Sequence, residues 1–175
     1  MKSIFTRGSA RVGLIVGSIG LLGGASCEQP DLPLPSEAEA RAHYASSRDI
    51  SFNMNGNVLE ITVNQPLQQV RRGGTLWAKV GPYIYLFTEE TESVLRAYPG
   101  LSGVRVITRT GRRDTEVARA FLRRDELNAL TWKRAKNIAG KARLDGTNRP
   151  SFLEDLVEWG EDHTEFEYSS EFVGR

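Results

Sequence analysis

Apolar and polar residues alternate on both sides of the dipeptide Asn55-Gly56, and this pattern predicts a β-hairpin. Asn-Gly readily adopts the positive φ angles that a two-residue hairpin turn requires. With the turn centred on that dipeptide, Phe52 lies opposite Leu59. Ile50 then lies opposite Ile61, so both apolar pairs share one face of the hairpin.

A different pattern follows, with apolar residues three and four positions apart between 77 and 98, and it predicts an amphipathic helix. Gly81-Pro82 interrupts the pattern, and the segment 83–87 has strong strand propensity. We therefore expect a kinked or two-piece helix, with a strand at 83–87 as the alternative for the segment 76–87. Thr88 offers a second helix start, and Pro99-Gly100 a stop.

A second hairpin is predicted from the segments 104–108 and 115–122, which read as strands joined through residues 111–114. Side chains two residues apart in a strand share a face. The odd positions of these two strands carry four arginines, Arg105, Arg109, Arg119 and Arg123. We expect them to form one solvated, basic face of the sheet.

Two helices are predicted from residues that cap helix N-termini. Ser36 and Glu39 match a capping box at the start of a short, alanine-rich helix. Asp125 is expected to cap a longer helix that ends near Asp145-Gly146. The apolar stripe of this longer helix consists of Leu127, Leu130, Ala135, Ile138 and Ala142.

The last part of the chain predicts one more helix and an edge strand. Ser151 and Glu154 match a second capping box. The apolar residues of the helix that follows are Leu153, Leu156, Val157 and Trp159. Phe166 and Tyr168 then alternate with glutamates, which is typical of a strand. The predicted fold class is α+β, with two antiparallel β-hairpins forming a small sheet and helices packed on one face.

Charged residues are unevenly distributed along the chain, although its formal net charge is only +1. Residues 101–149 include 13 Lys and Arg against 5 Asp and Glu, whereas residues 150–175 include 8 Asp and Glu against one Arg. We expect the two segments to face and neutralise each other. The alternative is a basic face that binds an anionic partner, with arginine guanidinium groups forming bidentate hydrogen bonds to carboxylates or phosphates.

The beginning of the chain is typical of an export signal. Basic residues precede an apolar run at 12–22, and small residues at 23–26 then precede Cys27, the only cysteine. The basic residues are Lys2, Arg7 and Arg11. Export machinery recognises this order of basic, apolar and small-residue segments.

The segment Gly24-Ala25-Ser26-Cys27 resembles the lipobox of bacterial lipoproteins. The resemblance implies that Cys27 receives a diacylglyceryl group, that the chain is cut before it, and that the mature protein is anchored in the bacterial cell envelope. Gly24 departs from the family pattern, in which an aliphatic residue is usual. The resemblance covers the signal alone and implies nothing about the fold of the mature domain.

Two other interpretations of the first residues remain open. An ordinary secretory signal would be cut near Ala25 or Ser26 and would leave Cys27 as a free thiol. An uncleaved membrane helix is disfavoured, because the eleven residues of the run at 12–22 span only about 16 Å of a hydrocarbon core of roughly 30 Å. The predicted organisation is a signal peptide at 1–26, a lipidated N-terminus with linker and short helix at 27–48, and a single globular domain at 49–175.

Motifs of known chemistry are missing from the sequence. There is no G-x-S-x-G or S-x-x-K motif, and the only two histidines, His43 and His163, are far apart. No zinc-ligand spacing, dinucleotide fingerprint or phosphate loop is present. No catalytic residue, metal or cofactor is therefore predicted, and export argues against nucleic acid as a partner.

These observations favour a non-catalytic binding or envelope-assembly protein, held at the membrane through Cys27 and contacting another envelope protein. A small periplasmic hydrolase or glycan-processing enzyme is the alternative. Arginines or carboxylates gathered in one deep pocket would favour the enzyme, whereas their spread over a surface would favour binding. The sequence does not identify the partner or the membrane.

Overall fold

The computed structural model describes residues 32–44, 50–111 and 114–172. The predicted signal segment 1–26, Cys27 and the proposed boundary between 48 and 49 lie outside the described residues. The helices are α1 (Glu37–His43), α2 (Leu67–Leu86), α3 (Glu89–Ala97), α4 (Ala129–Asp145) and α5 (Ser151–His163). The strands are β1 (Ile50–Asn55), β2 (Val58–Gln65), β3 (Gly103–Thr110), β4 (Thr115–Arg123) and β5 (Glu165–Tyr168), and a 3-10 turn follows at Ser170–Phe172.

The strands form one sheet in the order β1-β2-β3-β4-β5. Both predicted hairpins are present as antiparallel pairs, β1 with β2 and β3 with β4, and the predicted edge strand β5 pairs antiparallel with β4. The expected fold class is nevertheless incomplete, because β2 and β3 are parallel and the sheet is mixed. Parallel neighbours need a crossover connection, which α2 and α3 supply.

The turn of the first hairpin lies one residue later than predicted. Asn55 pairs with Val58, so the two loop residues are Gly56 and Asn57. Gly56 has a φ of 60°. Positive φ at the first loop residue is the pattern of a type II′ turn, which places glycine there. Asn55 therefore belongs to the strand.

The register of this hairpin is correspondingly shifted, and the predicted pairs were wrong. Phe52 pairs with Ile61 rather than Leu59, and Ile50 pairs with Val63 rather than Ile61. A shift of two residues leaves every side chain on its original face. The prediction of a shared buried face is confirmed, since all five of these side chains are at most 7% exposed.

The face of the sheet that carries these residues packs against helices. Burial alternates along β2 and β3 with a period of two residues. Leu59, Ile61, Val104 and Val106 are fully buried and share one core with Tyr83 of α2. We call the other side of the sheet the open face, and it carries Glu60, Arg105, Arg109, Arg119 and Arg123.

Residues 76–86 are helical and Phe87 is the C-cap of α2, so the alternative of a strand at 83–87 was wrong. Val80, Tyr83 and Leu86 are fully buried on one side of α2, and burial of this stripe overrides the local strand propensity. The kink lies at Gly74, whose φ of 59° is not helical, rather than at Pro82, which lies inside the helix. The second helix starts as predicted, because Thr88 accepts a hydrogen bond from the Thr91 amide.

The start of α4 differs from the prediction. Its N-cap is Asn128 rather than Asp125, and the Asn128 side chain accepts hydrogen bonds from the Leu130 and Thr131 amides. Leu130 is 80% exposed, so its predicted place in the apolar stripe was wrong. The helix ends at Asp145 followed by Gly146, as predicted.

The two predicted capping boxes differ in outcome. The box formed by Ser36 and Glu39 is present at the start of α1. The one at Ser151 is not, because α5 already begins at that residue and its N-cap is Pro150, which makes no side-chain cap. The apolar residues predicted for α5 are all buried, namely Leu153, Leu156, Val157 and Trp159.

Candidate functional site

The four arginines singled out from the sequence lie together on the open face. Arg105 and Arg109 belong to β3, where they alternate with buried residues. On β4, Arg119 lies opposite Ile107, and Arg123 lies opposite Gly103. Facing positions in an antiparallel pair share a side of the sheet, so the prediction of one arginine-bearing face is confirmed.

The two arginines of β3 each contact a carboxylate outside the acidic tail. Arg105 Nη1 lies 2.8 Å from Glu60 Oε1, and the same guanidinium lies over the Phe121 ring at 5.2 Å. Arg109 Nη1 lies 2.6 Å from Asp114 Oδ2, in the turn between β3 and β4. The first pair joins β2 to β3 across the open face, and the second joins β3 to the turn that follows it.

The two arginines of β4 contact the acidic tail. Arg119 Nε lies 2.6 Å from Glu116 Oε1 and 3.8 Å from Glu167 Oε2. Arg123 pairs with Glu165. Both tail glutamates belong to β5, which is hydrogen-bonded to β4. The predicted proximity of the arginine-rich segment and the acidic tail is therefore confirmed.

Glu60 is the residue of this face that sequence reasoning missed. It lies directly beside Arg105 in the parallel pair of β2 and β3. Burial disfavours the charged carboxylate, but hydrogen bonds from Asn55, Arg105 and Asn53 outweigh that effect, and the pKa of Glu60 lies below its usual value. The alternation of β2 places Glu60 on the open face, but only the strand order reveals that Arg105 is its neighbour.

Apolar packing, rather than these ion pairs, accounts for the docking of the tail. Leu153, Leu156, Val157 and Trp159 are 1%, 0%, 8% and 9% exposed. Arg123 and Glu165, by contrast, have side chains that are 68% and 59% exposed, and exposed ion pairs contribute little to stability. The charges therefore orient a tail that is held by burial.

The recess between these charged groups is small. It has a volume of about 140 Å³ and is lined by Arg105, Arg119, Phe121, Glu165 and Glu167. Its two cations and two carboxylates each take part in an ion pair, so the recess presents balanced charge to an incoming group. The arrangement suits exchangeable surface contacts rather than the enclosure of a substrate.

Within 32–44, 50–111 and 114–172, no group of three His, Cys, Asp or Glu side chains is placed to hold a metal ion. In the same ranges, no helix is both long enough and apolar enough to cross a bilayer. The predicted lipidation site at Cys27 falls outside these ranges.

Comparison with known proteins adds no relative. Protein-family models, curated proteins and solved structures contain no match to this chain.

Proposed function

We propose that this chain is an exported bacterial envelope protein, anchored to a membrane by lipid on Cys27, whose folded domain binds a partner without catalysis. The proposal rests first on the sequence, in which a basic, apolar and small-residue series ends at the only cysteine. Two or more acyl chains anchor a protein stably where one is marginal. The membrane is therefore one partner, and an envelope protein is the other.

The arrangement of charged side chains supports a binding role over hydrolysis. A general acid or base needs a perturbed carboxyl or imidazole in a site that excludes water. The carboxylates of the open face instead form ion pairs with arginines at a surface, as in the contact of Glu60 with Arg105. Such contacts can be exchanged for those of a partner.

Membrane fractionation tests the anchor. Full-length wild type is expected in the membrane fraction after alkaline washing, whereas Cys27→Ser, which removes only the thiol, is not. Ser26→Ala is the matched control, because it keeps a small residue before the cysteine. Equal membrane retention of the wild type and Cys27→Ser would contradict lipid anchoring.

Cross-linking in intact cells, followed by capture of the full chain, tests the binding role. The expected result is a defined envelope protein that is enriched with the wild type over Cys27→Ser, because the variant keeps the same domain without the anchor. If nothing is enriched and the purified chain cleaves ester, amide or glycosidic substrates, the enzyme alternative replaces this proposal.

A further inference from the structure

A groove between α4 and α5 separates opposite charges along its two sides. It has a volume of about 750 Å³. Its α4 side carries three cations, Lys133, Arg134 and Lys141, and its α5 side carries three carboxylates, Asp155, Glu158 and Asp162. The groove lies on α4 and α5, away from the arginine-bearing open face.

These six charged side chains form no ion pair with any described residue. Elsewhere on the same helix, Lys136 contacts Glu89 and Glu92, each at 2.6 Å. The open face likewise pairs each of its four arginines. The two rows of charge in the groove therefore differ from the arginines of the open face and from Lys136 in that they form no ion pair with each other or with another described residue.

Apolar groups accompany the charges. Leu130 and Leu144 are 80% and 89% exposed, far more than is usual for leucine. They lie 14 residues apart, which is nearly four turns, so both project from the outer side of α4. Ile138 and Trp159 line the groove, and the buried Trp159 Nε1 has no hydrogen-bond partner in the described part of the chain.

The two helices that border the groove run in opposite directions. Arg134, near the start of α4, lies over the Trp159 ring near the end of α5, at 4.6 Å. Gly146, which follows α4, lies beside Leu153 near the start of α5, since a Cβ atom added at Gly146 would lie 2.5 Å from Leu153 Cδ2. Cations near the start of α4 are therefore level with carboxylates near the end of α5.

We propose that this groove is the interface between two copies of the chain, related by a two-fold axis parallel to the helices. Rotation about that axis lays α4 of each copy on α5 of the other and does not change the position of any residue along the axis. Lys133 and Arg134 therefore face Asp162 of the second copy. A two-fold axis across the helices would instead lay α4 on α4, with like charges in contact. The charge pattern thus favours one self-complementary arrangement, in which α4 and α5 of the two copies form a four-helix bundle.

The size of the surface sets the expected strength. The thirteen residues of α5 span about 20 Å, and two helices side by side are roughly 20 Å wide. Treated as a flat surface, each copy therefore contributes on the order of 400 Å² to the interface. Typical stable interfaces bury about 800 Å² per partner. The dimer is therefore weak, concentration-dependent and weakened by salt, and it covers the exposed leucines of α4.

Charge reversal on each helix separately tests the arrangement. The full chain is measured by sedimentation equilibrium from about 1 to 100 μM, the range for modest interfaces, in a mild detergent that disperses the apolar segment 12–22 or, in the cleaved protein, the lipid on Cys27. Lys133→Glu with Lys141→Glu leaves Arg134 as the only cation of the α4 side and gives both sides of the groove a net negative charge. Glu158→Lys with Asp162→Lys leaves Asp155 as the only carboxylate of the α5 side and gives both sides a net positive charge. Each double variant alone is expected to dimerise at least about tenfold more weakly than the wild type.

Mixing the two double variants is expected to restore dimers, because each acidic helix then meets a basic one. Arg96→Glu with Arg149→Glu is the matched control, since it reverses two exposed cations outside the groove and is expected to dimerise like the wild type. Circular dichroism confirms that each variant is folded.

Three outcomes overturn the proposal. A wild type that remains monomeric at about 100 μM has no such interface. Dimers that persist in both double variants arise elsewhere, for example through the apolar segment 12–22. Folded variants that stay monomeric when mixed contradict the pairing of α4 with α5.

Discussion

Replacing Gly160 with alanine tests how α5 packs on α2. A Cβ atom at Gly160 would lie 2.5 Å from Cε1 and Cζ of Tyr83 and 2.6 Å from its Cδ1. Tyr83 is fully buried, and its ring packs against Phe87 at 5.9 Å and Phe166 at 5.2 Å. The ring cannot move away without disturbing the core, so the two helices must separate.

The expected size of the effect follows from two opposing contributions. Alanine is favoured over glycine inside a helix by about 1 kcal/mol. Overpacking a core typically costs about 1–3 kcal/mol, and contact with three ring atoms at this distance places Gly160→Ala near the upper end. The net destabilisation is therefore about 2 kcal/mol, which lowers the melting temperature by roughly 4–8 °C in a domain of this size.

Gly140→Ala in α4 is the matched control. A Cβ atom there has no neighbour within 4 Å, so only the helix preference remains, and stability is expected to rise by about 1 kcal/mol. Thermal and urea unfolding monitored by circular dichroism compare both variants with the wild type. Opposite signs support the close crossing of α2 and α5. If Gly160→Ala is as stable as the wild type, that crossing is wrong.

Four other substitutions test three local features. Gly56→Val is expected to destabilise the chain by about 1–2 kcal/mol in urea unfolding, because valine tolerates positive φ poorly, and an unchanged midpoint would contradict the turn. Asn128→Ala is expected to cost about 1 kcal/mol while Asp125→Ala costs nothing measurable, and the reverse order would restore Asp125 as the cap. Glu60→Gln should cost about 1–2 kcal/mol at pH 7. Because the folded-state pKa of Glu60 lies below the ordinary 4.5, its contribution is present above that pH and is lost as the pH falls through the folded-state pKa, so the difference between Glu60→Gln and the wild type should shrink in acid. A difference that is constant with pH would show that the Glu60 charge has no part in it.

The faces of the strands were predictable from the sequence, but their register was not. Side chains alternate with a period of two, so Phe52 and Ile61 fall on one face whatever the exact pairing. A turn at Gly56-Asn57 instead of Asn55-Gly56 changes each pair by two residues and leaves that face intact. The apolar pattern therefore cannot distinguish the two turns.

The parallel pairing of β2 and β3 has no local signature. The two strands are separated by 37 residues that contain α2 and α3. The residues of either strand do not indicate which strand lies beside it. The contact of Glu60 with Arg105 depends on this pairing. The arginines of the open face could thus be predicted as a group, whereas this carboxylate partner required the fold.

Helix starts were ambiguous for a related reason. Asp125 and Asn128 are both good N-cap residues. Leu127 lies between them and is buried just before α4 begins, so the helix is capped by Asn128. The choice also moves Leu130 from the expected core to the surface. Local residue preferences allow several starts, and tertiary packing selects one of them.

The central claim is that Cys27 becomes the lipid-bearing N-terminus, and one measurement addresses it most directly. The full chain is expressed in a bacterial host, its membrane fraction is digested, and the N-terminal peptide is identified by mass spectrometry. We predict a peptide that begins at Cys27 and carries the mass of a diacylglyceryl group, with or without a further acyl chain. A chain that keeps Met1, or a peptide with an unmodified Cys27 thiol on soluble protein, would contradict the account.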